Sequence, residues 1–203
     1  HKRASSVQAS IVPCEWRDHK INVIDTPGYA DFRGEVVSGI RVVEGAIIVV
    51  SAPAGVEVGS QQLWRMAGQR GIPRFVFVNK MDRENADYQG VMASIVESFG
   101  RQCVALQVPI GSEDDFSDIY DLLDPSGAIP DGLEDAVESA RESLIELIAE
   151  TDDDLTLKYL EGEVLTPDEL TQGLKQGVAS GTIVPVLFGA AASGIGAEAL
   201  LDA

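Results

Sequence analysis

Four short apolar runs that alternate with amphipathic stretches constrain the fold more than any other feature of this sequence. The runs are residues 21–24, 46–50, 75–78 and 183–188. Because they are continuous, they are typical of strands covered on both faces. Helical spacing is found over residues 31–43, 60–69 and 88–99. The order predicts an α/β fold with a parallel sheet flanked by helices, in which ligands bind at the carboxyl ends of the strands.

Residues 112 to about 180 interrupt this alternation. Apolar residues recur with helical spacing over 132–150, and a second helix is predicted from Thr151 to Gly162. A third begins at Thr166, where Pro167 suits the first turn and Glu169 completes a capping box. We therefore predict a mainly helical insertion, residues 112–180. It divides a domain formed by residues 1–111 and by a last strand and helix, 181–203. A further edge strand is predicted over residues 7–16.

The acidic residues are concentrated in the predicted insertion. Residues 113–170 hold 20 of the 33 acidic residues and only two basic ones, so the formal net charge of −18 resides there. Such a segment lacks the basic residues that bind a phosphate backbone, and we expect no DNA partner. Two interpretations stay open, a surface for a basic protein partner and a solvated acidic face.

Two further observations bear on the compartment. The sequence has no run of 18 apolar residues, so neither a membrane span nor a membrane partner is expected. Cys14 and Cys103 have neither metal-ligand spacing nor a disulfide pattern, which fits buried free thiols in a reducing cytoplasm. We expect a cytoplasmic monomer.

A polar motif follows the first apolar run. Asp25, at the predicted strand end, can hold Mg²⁺ directly or through a water. Gly28, three residues later, lets the backbone approach a γ-phosphate and present its N–H group. Asp, Pro and Gly also favour ordinary turns, so this motif alone leaves both interpretations open.

A second polar motif, Asn79-Lys80-Met81-Asp82, follows the run 75–78. The Asp82 carboxylate can accept two hydrogen bonds from guanine, from N1–H and the amino group, which adenine cannot donate. Asn79 can reach N7 and tie neighbouring loops together, and the Lys80 stem can lie along the base. After the run 183–188, small residues at Ala190 and Ala191 allow a backbone N–H, that of Ala191, to contact the guanine O6. The alternatives are a solvated charged turn at residues 79–82 and an ordinary small-residue turn into a helix after 188.

These motifs resemble those of elongation factor G. The similar runs are residues 25–32, DTPGYADF, and 77–83, FVNKMDR, and the similarity extends over the whole chain. The resemblance implies a P-loop NTPase-type GTPase domain that binds GTP or GDP with Mg²⁺. It also implies a ribosomal setting, with ribosomal RNA as a partner. In that family the inserted subdomain faces the ribosomal stalk protein, which gives the acidic segment a partner.

The chain departs from that family in its phosphate-binding elements. No G-x-x-x-x-G-K-[ST] sequence is present, since Gly189 and Gly194 have the right separation but Ile195 and Gly196 follow them. We expect a domain truncated at its N-terminus that alone binds nucleotide weakly or not at all. The first switch of the family supplies a Thr hydroxyl to Mg²⁺, and counting back from Trp16 places Ser6 at that position. In isolation these residues also fit a plain linker.

Tyr29 stands where the family usually has His, and it is the candidate catalytic residue. The His orients the attacking water and stabilises transition-state charge, whereas a tyrosine can only hydrogen-bond the water, since its pKa is about 10. Packing of Tyr29 against the sheet is the alternative. Because a phenol supplies no such charge near neutral pH, we predict slower or differently triggered hydrolysis than with His. The chain resembles more closely a divergent, elongation factor G-like branch in which Tyr is found at this position.

Three functional hypotheses follow from the resemblance and its departures. The first is a GTP-hydrolysing elongation factor acting in translocation. The second is a slow or non-hydrolysing, nucleotide-sensing regulator or protection factor on the ribosome, which Tyr29 favours. The third is a remnant that binds nothing, and the retained Asp25, Gly28, Asn79, Lys80 and Asp82 argue against it.

Overall fold

The computed structural model describes residues 6–28, 30–124 and 128–203. By its internal contacts the chain divides into two units, His1–Ala46 and Ile47–Ala203. The first unit contains strands β1 (Ser10–Trp16) and β2 (His19–Asp25) and helix α1 (Arg33–Gly39). The second begins within strand β3 (Ala46–Ser51) and holds the larger sheet.

The first unit is built on a β-hairpin. β1 and β2 pair antiparallel from Ser10 opposite Asp25 to Trp16 opposite His19. The connecting residues Arg17 and Asp18 have φ of 43° and 65°, as two-residue turns need if they are to match the strand twist. The edge strand predicted over 7–16 is therefore confirmed, beginning at Ser10.

Two predictions for this unit are wrong in part. Residues 21–24 were expected to lie in the parallel sheet, but β2 pairs with β1 and its side chains are exposed or half-buried, because the tight turn favours the local hairpin. The helix over 31–43 begins as a 3₁₀ turn and ends at Gly39. Glycine and the β-branched Val42 and Val43 favour helix propagation poorly.

The second unit continues from β3 through alternating elements. In chain order they are α2 (Val58–Gln69), β4 (Arg74–Asn79), α3 (Tyr88–Phe99), β5 (Cys103–Ala105), β6 (Gln107–Ile110), β7 (Asp118–Asp121), α4 (Glu134–Ala149), α5 (Asp153–Leu160), α6 (Pro167–Ser180), β8 (Val184–Phe188) and α7 (Ala197–Asp202). Four strands form a parallel sheet flanked by helices, in the order β3-β4-β8-β5. The predicted fold class is confirmed.

Burial in the sheet follows strand position. Every residue of β8 is buried, as the continuous apolar run predicts. In β3 only Ile48 and Val50 are buried, while Ile47 and Val49 are about half exposed. Successive side chains point to opposite faces of a strand, so one face of β3 lies in the core and the other in solvent. Two-sided burial is therefore wrong for β3.

The segment between β5 and β8 contains the predicted helices and two short strands. β6 and β7 form an antiparallel pair, which the sequence does not reveal because each strand has four residues. α4, α5 and α6 match the three predicted helices within a few residues. Their apolar faces join the same hydrophobic core as the sheet. The boundaries of the insertion, 112 and 180, stay a prediction.

The two cysteines differ in burial. Cys103 is buried and burial raises the pKa of its thiol to about 12, so it stays protonated, whereas Cys14 is half-buried. Within the described residues no helix has both the length and the apolar character needed to cross a bilayer.

The predicted capping box begins α6. Thr166 Oγ1 accepts a hydrogen bond from the Glu169 N–H, and Glu169 Oε2 accepts one from the Thr166 N–H at 2.9 Å. Lys158 also donates to Glu169, and this hydrogen bond with the backbone donor lowers the pKa of the Glu169 carboxyl to about 2. The helix start is thus fixed by three polar groups.

Replacing Thr166 with Ala should lower the free energy of unfolding by about 1 kcal/mol, because the capping acceptor is lost. Urea unfolding followed by circular dichroism measures this. Thr171→Ala is the matched control, since Thr171 is exposed inside the same helix and alanine favours helix. Among the described residues its hydroxyl donates to the Pro167 carbonyl alone. Equal destabilisation by the two variants would contradict a capping role.

Candidate functional site

Three loops meet at the carboxyl edge of the parallel sheet. The Ala52 N–H, after β3, donates to the Asn79 carbonyl at 2.9 Å. The Met81 N–H donates to the Gly189 carbonyl at 3.2 Å, and the Gly189 N–H donates to the Val78 carbonyl at 2.9 Å. The loop that begins at Asn79 and contains Asp82 is called the base-selecting loop below. Its backbone is therefore joined to the loops that follow β3 and β8.

The Asn79 side chain ties two of these loops together. Its Oδ1 accepts hydrogen bonds from the Lys80 N–H at 2.8 Å and the Ala191 N–H at 2.9 Å. Because both partners are donors, the amide oxygen is fixed, and Nδ2 is left as a donor. A donor suits the N7 acceptor of a purine. Both purines carry N7, so Asn79 can hold the base without choosing it.

Asp82 supplies the group that can choose the base. Its side chain is 28% exposed, and Arg83 Nε lies 4.0 Å from Oδ1. No other ion pair of Asp82 occurs within the described residues. The carboxylate can therefore accept the two guanine donors. Lys80, beside it, has a left-handed φ of 67° that turns the loop, and the packing of its stem on a base stays a prediction.

The predicted O6 contact looks different in the structure. The Ala191 N–H is donated to Asn79, so a guanine O6 would have to share this donor. Ala190 is fully buried, and its N–H donates to the Ile195 carbonyl at 3.0 Å. The roles of Ala190 and Ala191 toward the base stay predictions. The sequence does not show that the Ala191 N–H is already donated to the Asn79 side chain.

In the first unit the two predicted metal ligands are adjacent. Asp25 is the last residue of β2, and Ser6 Oγ donates to its Oδ2 at 2.9 Å. A carboxylate and a hydroxyl are hard oxygen donors, and Mg²⁺ is usually held by one or two such groups together with phosphates and waters. The pair fits Mg²⁺, and its role as a metal site stays a prediction.

Gly28 is not required to be glycine by the fold. A Cβ at this position would meet nothing within 4 Å, and its φ is not in the left-handed region. The described residues therefore give no steric reason for glycine here, and the contact of the Gly28 N–H with a γ-phosphate stays a prediction.

Two further residues lie near Gly28 in the sequence, Tyr29 and Glu35. Tyr29, the candidate catalytic residue, lies outside the described residues. Glu35, on α1, is half-buried and its Oε2 accepts the Ala9 N–H at 2.9 Å. Glu35 therefore links α1 to the segment that follows Ser6, a contact between residues 26 positions apart that no local pattern reveals.

The sheet, its flanking helices and the polar loops at its carboxyl edge define a nucleotide-binding domain of the P-loop GTPase type. A crystal structure of a protein from Thermus thermophilus has the same fold, with a TM-score of 0.88 and 29% identity. The match covers 98% of this chain and 31% of that one, so the chain spans about a third of that protein's length. The model of the elongation factor Tu GTP binding domain matches residues 1–203. The chain belongs to this family, the GTPase domains of translation factors.

Proposed function

We propose that the protein is a GTP-hydrolysing translation elongation factor of the elongation factor G kind, acting on the ribosome in translocation. Family membership supports guanine-nucleotide chemistry. The observation that carries the proposal is the loop of residues 79–82, where Asn79 joins two loops and Asp82 keeps an available carboxylate. The same side chains argue against a remnant that binds nothing.

Different residues of the chain would bind the base, the Mg²⁺ ion and the γ-phosphate. Asp82 accepts from the guanine edge, Asn79 Nδ2 donates to N7, and Lys80 covers the base. Asp25 and Ser6 would hold Mg²⁺, which neutralises phosphate charge when bound. The Gly28 N–H would mark the position of the γ-phosphate, so that GTP and GDP differ in the contacts they make with this switch.

Tyr29 is proposed to set the hydrolysis rate and to place the chain in the divergent, elongation factor G-like branch. In-line attack on the γ-phosphate needs a group that positions the water. A phenol can hydrogen-bond that water but supplies no positive charge near neutral pH. Hydrolysis is therefore proposed to be slower, or differently triggered, than with His.

Tyr29→Phe in the full-length protein should lower ribosome-stimulated GTP turnover about tenfold, since the loss of one hydrogen bond worth about 1 kcal/mol in the transition state changes a rate by about this much. Multiple-turnover phosphate release with and without ribosomes measures it, and Tyr88→Phe, on α3, is a matched control. Unchanged turnover in Tyr29→Phe would rule out a role for the hydroxyl.

The second candidate is a slow, nucleotide-sensing regulator or protection factor on the ribosome, favoured by Tyr29 in place of His. Tyr29→His separates the two functions. Strong ribosome stimulation of the wild type supports the elongation factor. Tight GTP binding with negligible turnover, restored by Tyr29→His, supports the regulator.

The acidic helices are proposed to face a basic surface of the ribosomal stalk protein. Other parts of the protein are proposed to contact ribosomal RNA. The protein is proposed to be a cytoplasmic monomer. On and just after α5, Leu160 is 75% exposed and Val164 is 91% exposed, with Glu161 and Glu163 beside them. Exposed apolar side chains ringed by carboxylates suit a partner with an apolar patch and a basic rim. Binding that weakens steeply with salt would support this contact.

A further inference from the structure

The turn that joins β6 to β7 contacts the base-selecting loop through one residue, Glu113. The Glu113 N–H donates to the Met81 carbonyl at 3.0 Å. The Glu113 Oε1 accepts from the Asn85 N–H at 2.6 Å. Glu113 thus bonds to the loop on both sides of Asp82, once before it and once after it.

The turn that carries Glu113 is itself tightly fixed. Gly111 has φ of 79°, and a Cβ there would lie 2.1 Å from the Asp115 carbonyl oxygen, so only glycine fits. The Phe116 N–H donates to the Glu113 carbonyl at 3.1 Å, and the Phe116 side chain is buried in the core. The Glu113 backbone, with φ of 55°, is held in the left-handed region by these contacts.

The loop that receives these bonds has a conformation that needs outside support. Lys80 and Asn85 have φ of 67° and 65°, a region that residues other than glycine rarely adopt. Inside the loop, the Arg83 N–H donates to the Lys80 carbonyl and the Ala86 N–H donates to the Arg83 carbonyl. These short turns lie within the loop and do not reach the sheet. Before Asp82 the loop is held by the Met81 N–H on the Gly189 carbonyl, and the two bonds to Glu113 add a support on each side of Asp82.

We propose that Glu113 is a positioning residue for guanine recognition, which fixes the loop on both sides of Asp82. The inference rests on the proposed function for its ligand, because Asp82 is the group it would aim at the guanine edge. Glu113 stands at the start of the segment between the parallel strands β5 and β8. A movement of this turn would therefore change how well Asp82 fits the base.

The test compares affinities for GDP and IDP in the full-length protein. Hypoxanthine lacks the 2-amino group, so IDP can donate one hydrogen bond to Asp82 where GDP donates two. Glu113→Ala should weaken GDP binding about tenfold and IDP binding about threefold or less, and so reduce the preference for guanine. Glu113→Gln keeps the acceptor oxygen and should restore most of that preference. Asp114→Ala, in the same exposed turn, is the control and should match the wild type.

A second measurement follows the loop without nucleotide. Amide hydrogen exchange at Asn85 should become about tenfold faster in Glu113→Ala and stay unchanged in Asp114→Ala. An unchanged GDP-to-IDP ratio in Glu113→Ala would overturn the positioning role, even with faster exchange at Asn85. A wild type that binds no GDP would instead overturn the proposed function. Unchanged exchange at Asn85 in Glu113→Ala would overturn this inference, whatever the nucleotide affinity.

Discussion

Replacing Asp82 with Asn should weaken GDP binding by about 10²–10³-fold, because two hydrogen bonds to a charged acceptor are lost together. The substitution keeps the size of the side chain. It replaces one carboxylate oxygen with an amide donor that faces the guanine amino group. The pairing then becomes donor against donor on one side, so the loss exceeds that of a simple deletion.

The same substitution should improve binding of XDP. Xanthine has a carbonyl oxygen where guanine has the amino group, and an Asn amide can donate to it while accepting from N1–H. Isothermal titration of the full-length protein with GDP and XDP measures both changes. Glu84→Gln, an exposed neighbour in the same loop, is the matched control. If Asp82→Asn and Glu84→Gln gave the same GDP-to-XDP ratio, Asp82 would not be the base-selecting residue.

The second large effect is expected at Gly196, beside the turn that holds Ala190 and Ala191. Gly196 and Gly194 have nearly equal φ, 85° and 84°, so alanine strains the backbone at both. A Cβ at Gly196 would also lie 2.2 Å from the Phe188 carbonyl oxygen and 3.0 Å from Gly189 Cα, whereas one at Gly194 meets nothing within 4 Å.

Gly194→Ala should therefore cost about 1 kcal/mol, and Gly196→Ala about 2–4 kcal/mol, since a backbone clash adds to the strain. Urea unfolding gives both values from the transition midpoint at constant slope. The difference between the variants isolates the clash. Equal losses would show that the turn can move aside, and that close packing of Gly196 on Phe188 does not stabilise it.

Much of the fold could be predicted because local patterns encode it. Continuous apolar runs located β4 and β8, helical spacing located α2, α3 and α4, and Thr166 marked the start of α6. Strands β5, β6 and β7 have three or four residues each, too few to show a period. The placement of β2 was wrong because an apolar run does not show which strand it will pair with.

The candidate site divides in the same way. Asn79 and Asp82 could be found from residue types that follow a predicted strand. The structure places Ser6 Oγ 2.9 Å from Asp25 Oδ2, and the metal role of the two residues stays a prediction. Glu113 could not be found, because it contacts Asn85 across 28 positions of sequence. Contacts of this kind depend on which loops the topology brings together. The spacing of residues within either loop does not indicate that the two loops will meet.

The common hydrophobic core of the sheet and the acidic helices limits what an engineer or evolution can do with this chain. Val137, Leu144 and Ile148 of α4 are almost completely buried, and α4 packs on β5. The helices are thus not an independent module that can be deleted or transferred. Removing them would expose apolar core residues to water, at a free-energy cost that grows with the exposed area. Inward-facing positions of α4 and β5 should change in concert among related sequences, whereas the acidic outer positions are constrained by the proposed stalk contact and not by this core.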